Sequence, residues 1–196
     1  MIKGLDTVSN ISSVASVLKS QGYTFVIRYY SVKENAKRMT AAESTAIGAA
    51  GLKRVVVYQN LHNCYEKFSA EIAEHDAADA ISQAKANGQQ SSTIYFAVDY
   101  DASESEIDAN ITNHFRVLQQ RLSPAGYSVG VYGSSLVCKK LKENLSLPRT
   151  WLAMSTGWGY ETEFDDWDIH QTREVVVAGI KFDENEAESV YKLGAW

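Results

Sequence analysis

The stretch Ile94-Tyr95-Phe96-Ala97-Val98-Asp99-Tyr100-Asp101 carries the most pointed chemistry in the chain. Its first half is a run of β-formers without proline, and it ends in two carboxylates. Side chains alternate along a strand, so Asp99 and Asp101 are expected on one face with Cα atoms about 6.5–7 Å apart. Carboxyl groups so placed can share acid/base work on a glycosidic bond: one protonates the leaving oxygen, the other answers the charge that develops. Ser103, with Glu106 three residues on, reads as a capping box, so a helix starts at once. The plainer reading of both aspartates is turn or capping chemistry, which is common for Asp at such junctions.

No competing signature is stronger. The chain has no Walker pattern and no GxGxxG after a strand. Ser134, in Tyr-Gly-Ser-Ser, lacks the GxSxG elbow and reads as a helix cap. The four histidines (His62, His75, His114, His170) form no ligand pattern, and Cys64 and Cys138 lie in no CxxC spacing, so no metal and no cofactor is expected. The two cysteines are expected to be free thiols, because their elements are not neighbours in a sequentially wound barrel. A net charge of −5 without a basic run argues against nucleic acid or an anionic membrane as partner. No apolar stretch reaches 18 residues, so no membrane insertion is expected. Met1 leads into a strand without the basic and apolar regions of a signal peptide. Work outside the cytoplasm would then need non-classical export, a specialised secretion apparatus or lysis, unless the sequence has been trimmed of a leader.

The elements that must position these acids alternate. Strand signals at Ile2–Asp6, Tyr23–Tyr30, Lys53–Asn60, Thr93–Asp101 and Tyr127–Gly133 are each followed by a helical pattern: 11–21, 41–50, 69–86, 104–122 and 135–145. Three strands without long helices follow, at Thr150–Ser155, Trp167–Thr172 and Val175–Phe182. This order predicts an α/β fold, a TIM-type barrel variant of five βα units followed by three strands, in a single domain over 1–196.

A parallel α/β barrel places its site at the C-terminal strand ends. Those ends supply Asp6; Arg28, Tyr29 and Tyr30; Tyr58, Gln59 and Asn60; Asp99 and Asp101; and Tyr132. The last three add Met154 and Ser155, with Trp158 and Tyr160 beyond; His170 and Gln171; and Asp183, Glu184 and Asn185. The four acids Asp6, Asp99, Asp101 and Asp183 are expected to cluster with neighbouring carboxylates within roughly 10 Å. Tyr29, Tyr58, Gln59, Tyr132, Trp158, His170, Gln171 and Glu184 are the candidate binding residues, since aromatic faces among hydrogen-bonding groups suit sugar rings. Ordinary rim packing is the plainer explanation of any one tyrosine taken alone.

The motifs Gly4-Leu5-Asp6, Ala97-Val98-Asp99-Tyr100-Asp101, Gly130-Val131-Tyr132-Gly133-Ser134, Trp167-Asp168-Ile169-His170-Gln171 and Phe182-Asp183-Glu184-Asn185 together resemble a glycoside-hydrolase-like domain. It is the domain of unknown function family 1906, related to the family 25 lysozymes. The resemblance covers nearly the whole chain. It implies a lysozyme-like muramidase acting on peptidoglycan or a related glycan outside the cytoplasm, as a monomer and without metal or cofactor. It also implies roles. Asp6 matches the lysozymes' first-strand acid, Asp99 the first acid of their Asp-x-Glu pair, and Asp183 the acid after the last strand. Asp101 stands where their proton-donating glutamate does, one methylene shorter. Two other readings stay open: a non-catalytic glycan-binding module on the same barrel, which the shortened acid favours, and a glycosidase for another polysaccharide.

Overall fold

Eight β-forming segments pair edge to edge and close on themselves. The computed structural model describes residues 1–32, 37–60, 63–154, 158 and 163–196. Among these, β1 (Ile2–Asp6), β2 (Phe25–Tyr30), β3 (Lys53–Tyr58), β4 (Thr93–Ala97), β5 (Ser128–Gly133), β6 (Arg149–Leu152), β7 (Ile169–Val177) and β8 (Ile180–Ala187) form a closed barrel in sequence order. Strands β1 to β7 are parallel, while β8 runs antiparallel to both β7 and β1. Outside lie α1 (Ala15–Ser20), α2 (Ala41–Ala49), α3 (Ala70–Ala86), α4 (Glu104–Glu106), α5 (Thr112–Leu122) and α6 (Ser135–Leu145), with a π turn, Ile107–Ile111, joining α4 to α5. The expected five βα units and three strands are present.

The last two strands depart from expectation. Val175–Phe182, expected as one strand, is a hairpin. β7 continues to Val177, the chain reverses at Ala178 and Gly179 with φ of 50° and 79°, and β8 returns. Two consecutive positive-φ residues match the twist that a two-residue hairpin needs. Asp183 therefore reaches the site end of the barrel from near the start of a reversed strand.

Strand alternation divides the apolar residues into two layers. Phe25, Ile27, Val55, Val57, Tyr95 and Trp151 fill the barrel interior. Leu5, Val26, Tyr58, Phe96, Leu118 and Leu141 pack between the barrel and its helices. Gly130 makes room inside, since a Cβ there would lie 2.7 Å from the Tyr95 ring. Ser69 and Ser134 cap α3 and α6, and Ser103 and Glu106 form a reciprocal capping box. At α2 the box is half made: Thr40 accepts the Glu43 N–H, but the Glu43 carboxylate turns inward to Arg28. Cys64 and Cys138 are free thiols, and Cys138 is buried.

The lower end is closed by the C-terminal tail. Leu193 is fully buried in the inner layer, and its carbonyl accepts the Tyr95 hydroxyl at 3.1 Å. Thr93 N–H donates to Gly194 O at 2.9 Å, and Arg54 and Trp196 exchange two backbone hydrogen bonds at 3.1 and 3.2 Å. Leu193→Ala is expected to lower unfolding free energy by about 2–4 kcal/mol, the usual cost of emptying a core leucine site. Denaturant melts check this; an unchanged midpoint would mean the tail only lies against the barrel.

Candidate active site

The site grows from the cross-strand pair Asp6 and Asp183, which sit directly opposite each other on β1 and β8. Asp6 Oδ2 accepts from Asn185 Nδ2 at 2.8 Å and Gln171 Nε2 at 3.1 Å, while Oδ1 meets the Tyr29 hydroxyl at 3.4 Å. Gln171 Nε2 also donates to Asp183 Oδ2 at 3.3 Å. One nitrogen thus bridges both carboxyl groups and keeps their nearest oxygens within roughly 6 Å. The amides are themselves held: Gln171 Oε1 accepts from Tyr132 Oη at 3.1 Å and Met154 N–H at 3.2 Å, and Asn185 Oδ1 accepts from Trp151 Nε1 at 2.8 Å.

Asp6 is only 2% exposed. Burial pushes its carboxyl up to about 7; the Asp183 charge adds to this, and the bonds from Asn185, Gln171 and Tyr29 oppose it. Asp183 is also raised, first by burial and then by Glu174. The Tyr29 and Tyr132 hydroxyls are pushed up by burial and by the acids around them, so both remain protonated donors.

Asp99 lies two residues beyond the end of β4 and accepts Gln59 Nε2 at 2.6 Å. Lys37 Nζ donates to Gln59 Oε1 at 2.6 Å and stands 4.7 Å from the centroid of the Tyr29 ring. Two cavities meet at Tyr29 and Asp183. One, of about 200 Å³, lies over the barrel mouth and is lined by Gln59, Asp99, Tyr132 and Gln171. The other, of about 390 Å³, runs between Thr7-Val8 and the hairpin residues Val175, Val176 and Phe182.

The barrel thus brings together Asp6, Asp99, Asp183, Tyr29, Gln59, Tyr132 and Gln171. Four expected site residues stand elsewhere. Tyr58 faces outward, its hydroxyl donating to Asp79 Oδ2 on α3 at 3.1 Å, because Val57 takes the inward position. His170 also faces out, against Trp167 with Nδ1 3.8 Å from Glu186, since Ile169 and Gln171 point in. Glu184 is outward between Lys3 at 3.0 Å and Arg173 at 3.2 Å, and Asn185 has the inward place. Asp101 is exposed and lines neither cavity; β4 ends at Ala97, so strand alternation no longer directs a residue four positions on. Trp158 is half-buried; Ser155 and Tyr160 lie outside the described residues.

Asn185, Trp151 and Lys37 were not among the expected binding residues. Inward parity on β8 would have selected Asn185 once the hairpin turn was recognised. Lys37 sits in a polar stretch with no periodic signal.

A closed barrel with three carboxylates at an open mouth defines a glycoside hydrolase-like protein. The chain belongs to the Rv2525c-like, glycoside hydrolase-like domain family, whose model matches residues 16–187. It is similar to the Tat-secreted protein Rv2525c of Mycobacterium tuberculosis, solved with L-tartrate (TM-score 0.82, 20% identity, 99% of this chain and 98% of that one). Its fold also resembles a muramidase from Trichobolus zukalii (TM-score 0.64, 14% identity, 99% and 97% covered). A family 25 glycosyl hydrolase from Bacillus anthracis is comparable (TM-score 0.61, 13% identity, 96% and 89% covered). The chain spans about a third or less of the curated relatives it matches. One is the uncharacterized protein FadG of Bacillus subtilis (strain 168), 30% identical over an alignment of 185 residues that covers 88% of this chain and 32% of FadG. Among the described residues no helix is long and apolar enough to cross a membrane.

Proposed function

We propose that this domain hydrolyses a glycosidic bond in a cell-wall glycan, with peptidoglycan as the substrate class. One observation carries the reading: three carboxyl groups converge on one open groove, and one of them, Asp6, is buried so that its carboxyl is pushed up to about 7. Glycoside cleavage needs a protonated acid for the leaving oxygen and an acceptor of positive charge across the sugar ring. Asp6 supplies the proton. Asp99, at the far side of the mouth from the hairpin, attacks the anomeric carbon or stabilises its charge, and Asp183 steadies the ring between them. Tyr29 and Tyr132 offer aromatic surface for stacking, and Gln59 and Gln171 offer amide groups for hydroxyls. The muramidase among the similar folds supports the substrate class, and the secreted protein Rv2525c supports a place of action outside the cytoplasm. Such a domain acts as a monomer without cofactor.

Asp101 favours a second reading, a binding module without turnover. It occupies the position that the family resemblance gives to the proton donor, yet it is exposed and outside the groove. Purified peptidoglycan separates the two. Hydrolysis releases reducing ends whose fragment masses name the bond, and Asp99→Asn lowers that release at least about 10²-fold while the protein still sediments with the glycan. Sedimentation with no release from peptidoglycan or other polysaccharides leaves the binding module.

A further inference from the structure

The buried acid lines the larger cavity but offers it almost no surface. Asp6 is 2% exposed, at the end of β1 in the wall of the larger cavity. Its Oδ2 faces two amide nitrogens, Asn185 Nδ2 and Gln171 Nε2. Neither amide can turn over without loss. The Asn185 oxygen is engaged by the Trp151 indole N–H, and the Gln171 oxygen by the Tyr132 hydroxyl and the Met154 N–H. Oδ2 therefore has only donors around it and cannot carry a hydrogen of its own. A proton on Asp6 sits on Oδ1, and the group that Oδ1 meets is the Tyr29 hydroxyl, 3.4 Å away. Tyr29 in turn is half-buried and lines both cavities.

We propose that the Tyr29 hydroxyl delivers the proton to the leaving glycosidic oxygen while Asp6 Oδ1 refills it. This rests on the hydrolase reading above. In the step, the Tyr29 O–H bond breaks as its hydrogen bonds to the leaving oxygen, and the Asp6 proton moves to the Tyr29 oxygen. The bond from the anomeric carbon to the leaving oxygen breaks with its electron pair on that oxygen. Asp6 becomes a carboxylate that Asn185 and Gln171 already solvate. Water then adds to the anomeric carbon and returns one proton to Asp6 by the same path, so the tyrosine is neutral at both ends of the cycle. Burial pushes the Tyr29 hydroxyl well above its ordinary range, which supports relay over release as phenolate. Among the described residues, the ionisable groups facing Asp6 and Tyr29 are Asp183 from β8, Tyr132 from β5, Asp99 beyond β4 and Lys37 beyond β2.

Tyr29→Phe, Asp6→Asn and the double variant are compared with the parent on purified peptidoglycan and on an aryl glycoside with a nitrophenolate leaving group. That leaving group departs without a proton. Each single variant is expected to slow peptidoglycan release about 10²–10⁴-fold, the usual worth of a positioned acid. The double variant should be no slower than Asp6→Asn alone, and aryl glycoside turnover should change less than about tenfold. The parent's fall in rate above pH 7 should be absent in Tyr29→Phe. A solvent isotope inventory on the parent should be curved, for two protons in flight. Equal losses on both substrates, a Tyr29→Phe rate within about threefold of the parent, or a linear inventory overturns the relay and leaves the hydrolase reading standing. A parent that cleaves neither substrate removes both.

Discussion

Asp6→Asn should yield a protein that melts higher than the parent at pH 8 and has lost nearly all turnover. The parent must bury a carboxyl that burial pushes from 3.8 up to about 7. The folded state therefore binds this proton more tightly than the unfolded chain does. The stability that comes from this is fully present below about pH 4 and is lost as pH rises toward 7; above 7 the parent carries the whole cost of a buried charge. At 1.36 kcal/mol per unit, that cost is on the order of 4 kcal/mol. Asparagine reproduces the protonated acid: its oxygen accepts from Asn185 and Gln171, and its NH₂ takes the place of Oδ1–H toward Tyr29. It cannot release a proton, so acid catalysis is lost by about 10²–10⁴-fold. Thermal melts between pH 4 and 8 check the stability half. Curves that converge near pH 4 and separate by roughly 8–16 °C at pH 8 are expected for a chain of this size. Parallel curves at all pH values would show that Asp6 is ionised in the folded protein across the range, and the assignment of the acid would fail with them.

Arg28→Met should cost about 3–5 kcal/mol of stability, because it strands a buried carboxylate. Arg28 and Glu43 are both fully buried, with Nε to Oε1 at 2.7 Å and Nη2 to Oε2 at 3.3 Å. Glu43 also accepts the Ile11 N–H at 2.9 Å and Asn10 Nδ2 at 3.2 Å, and Arg28 Nη1 donates to Thr7 O. The pair thus ties β2 and α2 to the segment after β1, whose Thr7 and Val8 wall the larger cavity. Removing the cation leaves Glu43 with two amide donors and no counter-charge. Arg28→Met with Glu43→Leu should recover at least half of the loss, since matched apolar groups often replace a buried ion pair at little cost. The double variant should nonetheless bind glycan more weakly, because Ile11 N–H and Thr7 O lose their partners. Denaturant melts of the parent and the two variants test this. A single variant within about 1 kcal/mol of the parent would mean that water reaches Glu43.

What the sequence determined by itself is what local period and local chemistry can determine. Alternating strand and helix patterns, with the capping box of Ser103 and Glu106, were enough for the barrel of five βα units and three strands. Strand ends were enough to bring Asp6, Asp99, Tyr29, Gln59, Tyr132 and Gln171 into one list. Parity was harder, since one residue of register moves a side chain from the interior to the helix layer. Tyr58, His170 and Glu184 sit beside residues that face the barrel interior or its mouth, and themselves face the other way. The tertiary structure alone decided the rest. β8 is antiparallel because the Ala178-Gly179 turn folds it back on β7, and closure against β1 then sets Asp183 opposite Asp6. Asp101 falls outside the groove because β4 stops at Ala97. The upward push on the Asp6 carboxyl comes from burial and from Asp183, which is far off in sequence, and it acts against the hydrogen bonds of Gln171 and Asn185. Desolvation and cross-barrel pairing are set by what surrounds a residue in space, and no window of neighbouring sequence contains that.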